Sequence, residues 1–140
     1  MYGGALTAGA LTLSGGTLTT NGGGGSGDSI SAPLTNNGTV TFAGTLHTLT
    51  LTGDYTQGSA GTLIFRVANG ATNDVFTISG GATLAGTLTI TAIGTLTAGQ
   101  TWDLILAGVG ITTDFTTKNW PDGGNWIGSS LGGIYFVTKT

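Results

Sequence analysis

The chain has no cysteine and no glutamate, a single histidine, two prolines, and only three cationic side chains, Arg66, Lys118 and Lys139. Each shortage excludes something. Without cysteine there are neither disulfides nor thiolate metal sites, a composition compatible with secretion without requiring it. Three separated cations cannot neutralise a run of phosphates, so nucleic acid is not an expected partner. Charged residues make up 6% of the sequence, against about 25% in ordinary soluble domains. The surface must therefore be Thr, Ser, Asn and Gly, and the acids and bases from which enzymes assemble their sites are scarce. No apolar run approaches about 18 residues, the length that a membrane-spanning helix needs. The opening MYGGALTAGA lacks the basic start and long apolar core of a signal peptide, so an exported form is expected to have lost its signal or to carry it on a longer precursor.

Glycine is abundant, at 28 residues, and apolar residues reach 39%, more than disordered low-complexity chains carry and enough to build a core. The near absence of Glu, Lys, Gln and Arg makes helix a poor choice for almost every segment. The apolar period is two: Leu88 and Ile90 alternate with Thr87, Thr89 and Thr91, and Leu49 and Leu51 alternate with threonines in the same way, as in strands with one dry and one wet face. The triplet Gly-Thr-Leu recurs at 16–18, 44–46, 61–63, 86–88 and 94–96. Such irregular spacing suits a decayed β-solenoid or a short-turned sandwich better than an exact array. Strands are predicted near 4–13, 16–20, 39–43, 45–53, 61–68, 74–79, 82–92, 101–107 and 133–139. The run NGGGGSGDS at 21–29 reads as a loop or linker, dividing the chain into an N-terminal β layer (1–20), a glycine-rich connection (21–32) and a main module (33–140) with an aromatic C-terminal cap.

An ordered series of segments carries a family resemblance. Gly53-Asp54-Tyr55-Thr56-Gln57 is followed by Gly61-Thr62-Leu63, by Asp74-Val75-Phe76-Thr77-Ile78-Ser79-Gly80, by Ala82-Thr83-Leu84-Ala85-Gly86-Thr87-Leu88, by Gly99-Gln100-Thr101-Trp102-Asp103-Leu104-Ile105, and by Asp114-Phe115. Over the stretch from residue 38 this resembles the C-terminal part of passenger domains in autotransporters and related large bacterial surface proteins. The resemblance implies the last rungs of a right-handed parallel β-helix displayed outside the cell. It brings no catalytic residues with it. No translocator barrel follows Thr140, so the resemblance implies an excised piece or a short stand-alone relative.

Candidate sites are few. Gly128-Ser129-Ser130-Leu131-Gly132 fits the nucleophile-elbow pattern, but the elbow needs a strand-turn-helix setting and a later histidine. The one histidine, His47, lies upstream and reads as a polar-face strand residue. Residues 23–31 come near a calcium-binding nonapeptide with Asp28 as ligand, but one imperfect copy cannot share ligands between successive turns. The glycine-run match to a dinucleotide fingerprint at Gly22, Gly24 and Gly27 has no following helix. Asp114 and Asp122 read as solvated loop acids rather than a glycosidase pair. Asn37-Gly38-Thr39 is a formal glycosylation sequon. Tyr55, Phe65, Phe76 and Trp102 read as core or cap anchors. In the tail, Trp120, Trp126 and Tyr135 read either as parts of a cap or as an exposed platform for a glycan or a partner subunit.

The sequence therefore predicts an all-β fold, a short right-handed parallel β-helix with a cap-like C-terminal end, with an antiparallel β-sandwich as the alternative. The expected function is that of a structural protein of the cell exterior that self-assembles into a fibre or surface layer or displays a surface. An adhesin or carbohydrate-binding module and a virion subunit are the alternatives. An enzyme is not expected, nor are catalytic residues, cofactors or metals. The expected partners are further copies of the chain and a glycan or cell surface, with no transmembrane segment.

Overall fold

The computed structural model describes residues 3–23 and 27–140. The described residues form five stacked three-strand rungs. The first rung is β1 (Ala5–Thr7), β2 (Leu11–Leu13) and β3 (Thr17–Thr20); the second is β4 (Asp28–Ser31), β5 (Leu34–Asn36) and β6 (Thr39–Phe42). The third is β7 (Thr48–Thr52), β8 (Tyr55–Gln57) and β9 (Thr62–Ala68), after which β10 (Thr72–Asn73) folds back antiparallel on β9. The fourth is β11 (Val75–Ile78), β12 (Gly81–Thr83) and β13 (Thr87–Ile93); the fifth is β14 (Thr101–Ala107), β15 (Gly110–Thr112) and β16 (Thr117–Asn119). A hairpin of β17 (Trp126–Leu131) and β18 (Ile134–Lys139) closes the described chain, with β18 antiparallel to β14.

Corresponding strands of successive rungs pair in parallel, giving sheets ordered β1-β4-β7-β11-β14-β18-β17, β2-β5-β8-β12-β15 and β3-β6-β9-β13-β16. The result is a β-solenoid of about 4 turns, with no α-helix among the described residues. Parallel pairing between rungs decides against the sandwich, whose sheets would be antiparallel.

Alternation explains why these segments stack. On the first sheet Leu6, Ile30, Leu51, Ile78 and Ala107 share one register position and point inward, while Ala5, Ser29, Thr50 and Thr77 alternate outward. On the third, Leu18, Val40, Leu63 and Leu88 form the equivalent inward stack. Ile30, Val40, Leu49, Leu63, Phe65, Phe76 and Leu88 are completely buried, each contributing about 1.5–3 kcal/mol relative to exposure. Phe42 stacks on Phe65 with centroids 5.1 Å apart, and Tyr55 meets Phe76 edge-on at 4.9 Å.

The corner between the second and third sheets holds a buried polar stack. Asn36 and Gln57 occupy one register position. Asn36 Nδ2 donates to the Tyr55 hydroxyl (3.2 Å), which donates to Gln57 Oε1 (2.7 Å). Gln57 Nε2 donates in turn to the carbonyls of Gly61, Ala85 and Thr87. Every member finds a partner, so the corner is rigid without an orphaned dipole.

The Gly-Thr-Leu triplets serve two different corners. Those at 16–18, 61–63 and 86–88 open the third sheet, where Thr62 N donates to Gly38 O, Thr87 N to Gly61 O and Thr117 N to Gly86 O. Those at 44–46 and 94–96 lie in the connections back to the first sheet. The strand reading missed β4, β5, β8, β10, β15, β16 and β17, mostly two- to four-residue pieces too short to show a period. In particular β4 lies inside the stretch read as a loop: Asp28, Ile30 and Ala32 are buried, and the first rung sits in parallel register on the second. Gly24, Gly25 and Ser26 of that glycine run lie outside the described residues.

Two corner glycines separate backbone strain from close packing. Gly86 (φ +60°) and Gly94 (φ +72°) are both left-handed, but a Cβ on Gly86 would lie 2.3 Å from Gly61 O, whereas one on Gly94 would meet nothing within 4 Å. Gly94→Ala is expected to cost about 1–2 kcal/mol for the backbone alone, and Gly86→Ala clearly more, as measured by urea unfolding of the two variants. Equal losses would show that contact between rungs at this corner is unimportant.

Candidate functional site

Four places gather the chain's polar and aromatic groups: the C-terminal cap, the corner leading back to the first sheet, the outer faces, and one shallow groove.

The cap is built around three tryptophans from β14, β17 and the segment before β17. Trp126 lies between Trp102 (centroids 5.6 Å, 28° between planes) and Trp120 (5.6 Å, 8°). Lys139 Nζ sits 5.9 Å from the Trp126 ring centroid, and its ammonium pairs with Asp122. Trp102 Nε1 donates to Ala68 O (2.8 Å), and Trp126 Nε1 to Asp122 Oδ1 (2.8 Å). Trp102 and Trp126 are buried, and Trp120 packs half-buried against the core. Beside them Tyr135 is completely buried, meets Phe115 edge-on, and donates its hydroxyl to Asp114 Oδ1 at 2.9 Å. Asp114 also accepts from Lys118 Nζ at 2.6 Å. Of the three residues read as a possible platform, Trp126 and Tyr135 are thus core members, and only Trp120 retains accessible surface. Phe65, Phe76, Tyr55 and Trp102 are anchors of the core.

The corner before the first sheet holds a buried ion pair. Asp74, with no exposed surface, accepts from Arg66 Nε (2.8 Å) and Nη2 (2.9 Å), and from the amides of Arg66 and His47 (both 3.1 Å). Arg66 directs its remaining donors to the carbonyls of Ala43, Gly44 and Thr45. His47 Nδ1 faces Thr45 O at 2.8 Å, so this nitrogen carries a proton, and Nε2 meets Thr20 Oγ1 at 2.9 Å. The His47 side chain is 4% exposed, packed into the corner rather than lying on a polar strand face. One rung lower, Asp28 accepts from the amides of Gly4 (2.9 Å) and Asn21 (2.8 Å). Burial pushes the Asp28 carboxyl up, but hydrogen bonds from the Gly4, Asn21 and Gly22 amides outweigh it and hold the group below its ordinary value. These amides engage the carboxylate that the nonapeptide pattern would assign to calcium.

The remaining motifs resolve similarly. Ser130 lies on β17 and is followed by the hairpin turn and β18 rather than a helix, four strand positions from β7 beside His47, about 19 Å by sheet spacing. Asp114 and Asp122 are each held by a different lysine. Among the described residues no three His, Cys, Asp or Glu side chains cluster as metal ligands.

What sequence reading did not assemble are the outer threonine ladders. Thr12, Thr35, Thr56, Thr83 and Thr112 occupy one register position along the second sheet, and Thr17, Thr39, Thr62, Thr87 and Thr117 another along the third. Their separations along the chain are unequal, so only the rung register reveals them. Beside the second sheet lies a shallow groove of about 540 Å³, lined by Asp54, Thr56, Thr83, Val109 and Thr112 over glycine corners. Thr83 and Thr112 share a hydrogen bond of 3.1 Å, and Asp54 Oδ1 accepts from Gly81 N.

No family model matches the chain, and no curated protein or solved structure matches it.

Two expectations follow from the cap and the buried groups. Trp126→Ala removes the middle ring of the stack and is expected to destabilise the fold by about 3–5 kcal/mol, seen as a lower urea midpoint with loss of near-ultraviolet dichroism; an unchanged midpoint would assign the ring to the surface. The pH range is bounded on both sides. Hydrogen bonds from Lys139, Trp126 and the Gly124 amide hold the Asp122 carboxyl at about 2, below its ordinary 3.8. It and Asp28 therefore stabilise the fold fully above the ordinary value, and this is lost as the pH falls through the folded-state values. Burial raises the Tyr55 and Tyr135 hydroxyls above their ordinary 10.0, reinforced at Tyr135 by the Asp114 carboxylate. Their stabilisation is full below that value and is lost as the pH rises through the raised ones. In an alkaline titration, tyrosinate absorbance from these two residues should rise only together with unfolding.

Proposed function

We propose that the protein is a structural module of the cell exterior, a β-solenoid scaffold that presents a sparsely charged, hydroxyl-rich surface. The observation that carries this reading is how the polar groups divide. One outward register position on each of two sheets is a continuous threonine ladder, while Asp28, Asp74, Asp114 and Asp122 are engaged by backbone amides, Arg66, Lys118 or Lys139. A surface of this kind is hydrated by hydroxyls rather than by charge, so salt screens little of what holds it in solution.

The ordered resemblance to passenger domains supports an extracellular setting, and identity as such a passenger segment belongs to the proposal. Burial of Trp126 and Tyr135 favours the scaffold over a tryptophan-based glycan platform. The test is immunolabelling of intact source cells with antibodies raised against the folded chain. Labelling without permeabilisation is the expected result; labelling only after permeabilisation would overturn the proposed setting.

A further inference from the structure

The outer face of the third sheet is more regular than those of the other two. Strands β6, β9, β13 and β16 pair in continuous register, so their outward residues fall into columns. One column reads Thr39, Thr62, Thr87, Thr117; the other, two residues further along each strand, reads Thr41, Ile64, Thr89, Asn119. Only Ile64 and Asn119 depart from threonine. The second sheet offers a single such column, in which Thr83 and Thr112 hydrogen-bond to each other. The first sheet mixes Ser29, Thr50, Thr77 and Leu106 at its outward position.

The fold makes this face a two-dimensional net. Neighbours within a column stand one strand spacing apart, about 4.8 Å, and the two columns lie two residues apart along the strand, about 6.6 Å. Directly beneath, Val40, Leu63, Phe65 and Leu88 have no exposed surface, and close packing on that side keeps the strands from moving independently. Branching at Cβ restricts each threonine at χ1, so its methyl and hydroxyl repeat with the backbone.

The net carries hydroxyls that the chain does not use, and no charge projects from it. The side chains of Thr39, Thr62, Thr87 and Thr117 hydrogen-bond to no group among the described residues, while Thr89 Oγ1 accepts from Asn119 Nδ2 at 3.2 Å within the face itself. Lys118 stands level with Leu88, on the inward side of β16, and pairs with Asp114. Arg66 takes the next outward place on β9, but its guanidinium is turned to Asp74 and to the carbonyls of residues 43–45.

We propose that the outer face of the third sheet binds ice. A partner that complements it is uncharged, offers hydrogen-bond donors and acceptors on a regular net, and extends in two directions at once. An extended peptide or glycan strand meets one row of hydroxyls, whereas crystalline water meets both columns together. The oxygen lattice of hexagonal ice has a repeat close to one strand spacing, so successive threonines of a column face equivalent lattice positions. Water is anchored at the hydroxyls and bonds to other water over the methyls. The hydration layer is thereby held in an order that a crystal can extend. This inference goes beyond the scaffold reading and does not depend on the cellular setting assigned there.

Nanolitre osmometry on the purified 140-residue chain tests this. Ice crystals in the solution are expected to become faceted and to hold their size over an interval below the melting point that widens with protein concentration. Thr62→Lys, central in its column, is expected to remove most of that interval with the urea midpoint little changed. Thr50→Lys, at an exposed outward position of the first sheet, is expected to leave it intact. Should Thr62→Lys lower the urea midpoint, Thr41→Lys places the same charge in the neighbouring column, with the same expected loss. Rounded crystals with no such interval at any concentration, an interval indifferent to both third-sheet changes, or one lost equally with Thr50→Lys would overturn the proposal. None of these outcomes bears on the labelling of intact cells, which tests the setting alone.

Discussion

Along the solenoid axis each strand is hydrogen-bonded to its counterpart one turn away, and the three strands of a rung do not pair with one another. A single rung consequently has no stable fold by itself: its backbone groups and its inward side chains are both completed by neighbours. This parallel ladder fixes the rest. It places Leu63 over Val40 and Leu88 over Leu63, and it forces the corners to stack as well. That is why Gly86 must approach Gly61 O so closely. The corners, by contrast, tolerate different lengths, as the long β9–β10 excursion demonstrates.

The few charged groups hold the corners together. Asp74 and Arg66 are taken out of water together, and such a pair costs desolvation that only full hydrogen bonding offsets. Here both carboxylate oxygens and the guanidinium are satisfied by each other and by main-chain groups of the preceding turn. Arg66 on β9 thereby ties the 43–45 connection to the chain entering β11. Asp28 acts in a similar way at the rung below, accepting amides at Gly4 and Asn21, and so fastens the first rung to the second.

Closure at the C-terminal end has the opposite character. There the ladder changes from parallel to antiparallel at β18, and the register slips between Asp103 and Ile105. The tryptophan stack covers the core where parallel strands stop. Gly128 permits this, since a Cβ there would lie 2.9 Å from the Tyr135 hydroxyl and 3.0 Å from Trp120. Aromatic surface, two lysine–aspartate pairs and a hairpin finish this end.

Alternation of threonine with leucine and isoleucine, the scarcity of helix formers and the glycine punctuation were enough in the sequence to determine an all-β chain with one buried face per strand, because side-chain direction in a strand follows directly from residue parity. The ordered segments between Gly53 and Phe115 were enough to favour a solenoid. The aromatic tail was legible as a cap, yet not which of its rings would be covered. Trp120 and Trp126 each follow an asparagine in the same glycine-rich tail, and their different burial arises from where β14 and the hairpin bring Trp102 and Tyr135. Parallel pairing, the threonine ladders, the Asp74–Arg66 contact and the antiparallel hairpin closure were decided only by the tertiary structure. They depend on which residues, separated by 21 to 29 positions along the chain at the equivalent Ile30–Leu51, Phe76–Leu49 and Phe76–Ile105 registers, share one level. Turn length at the corners sets that register, and no local period records it.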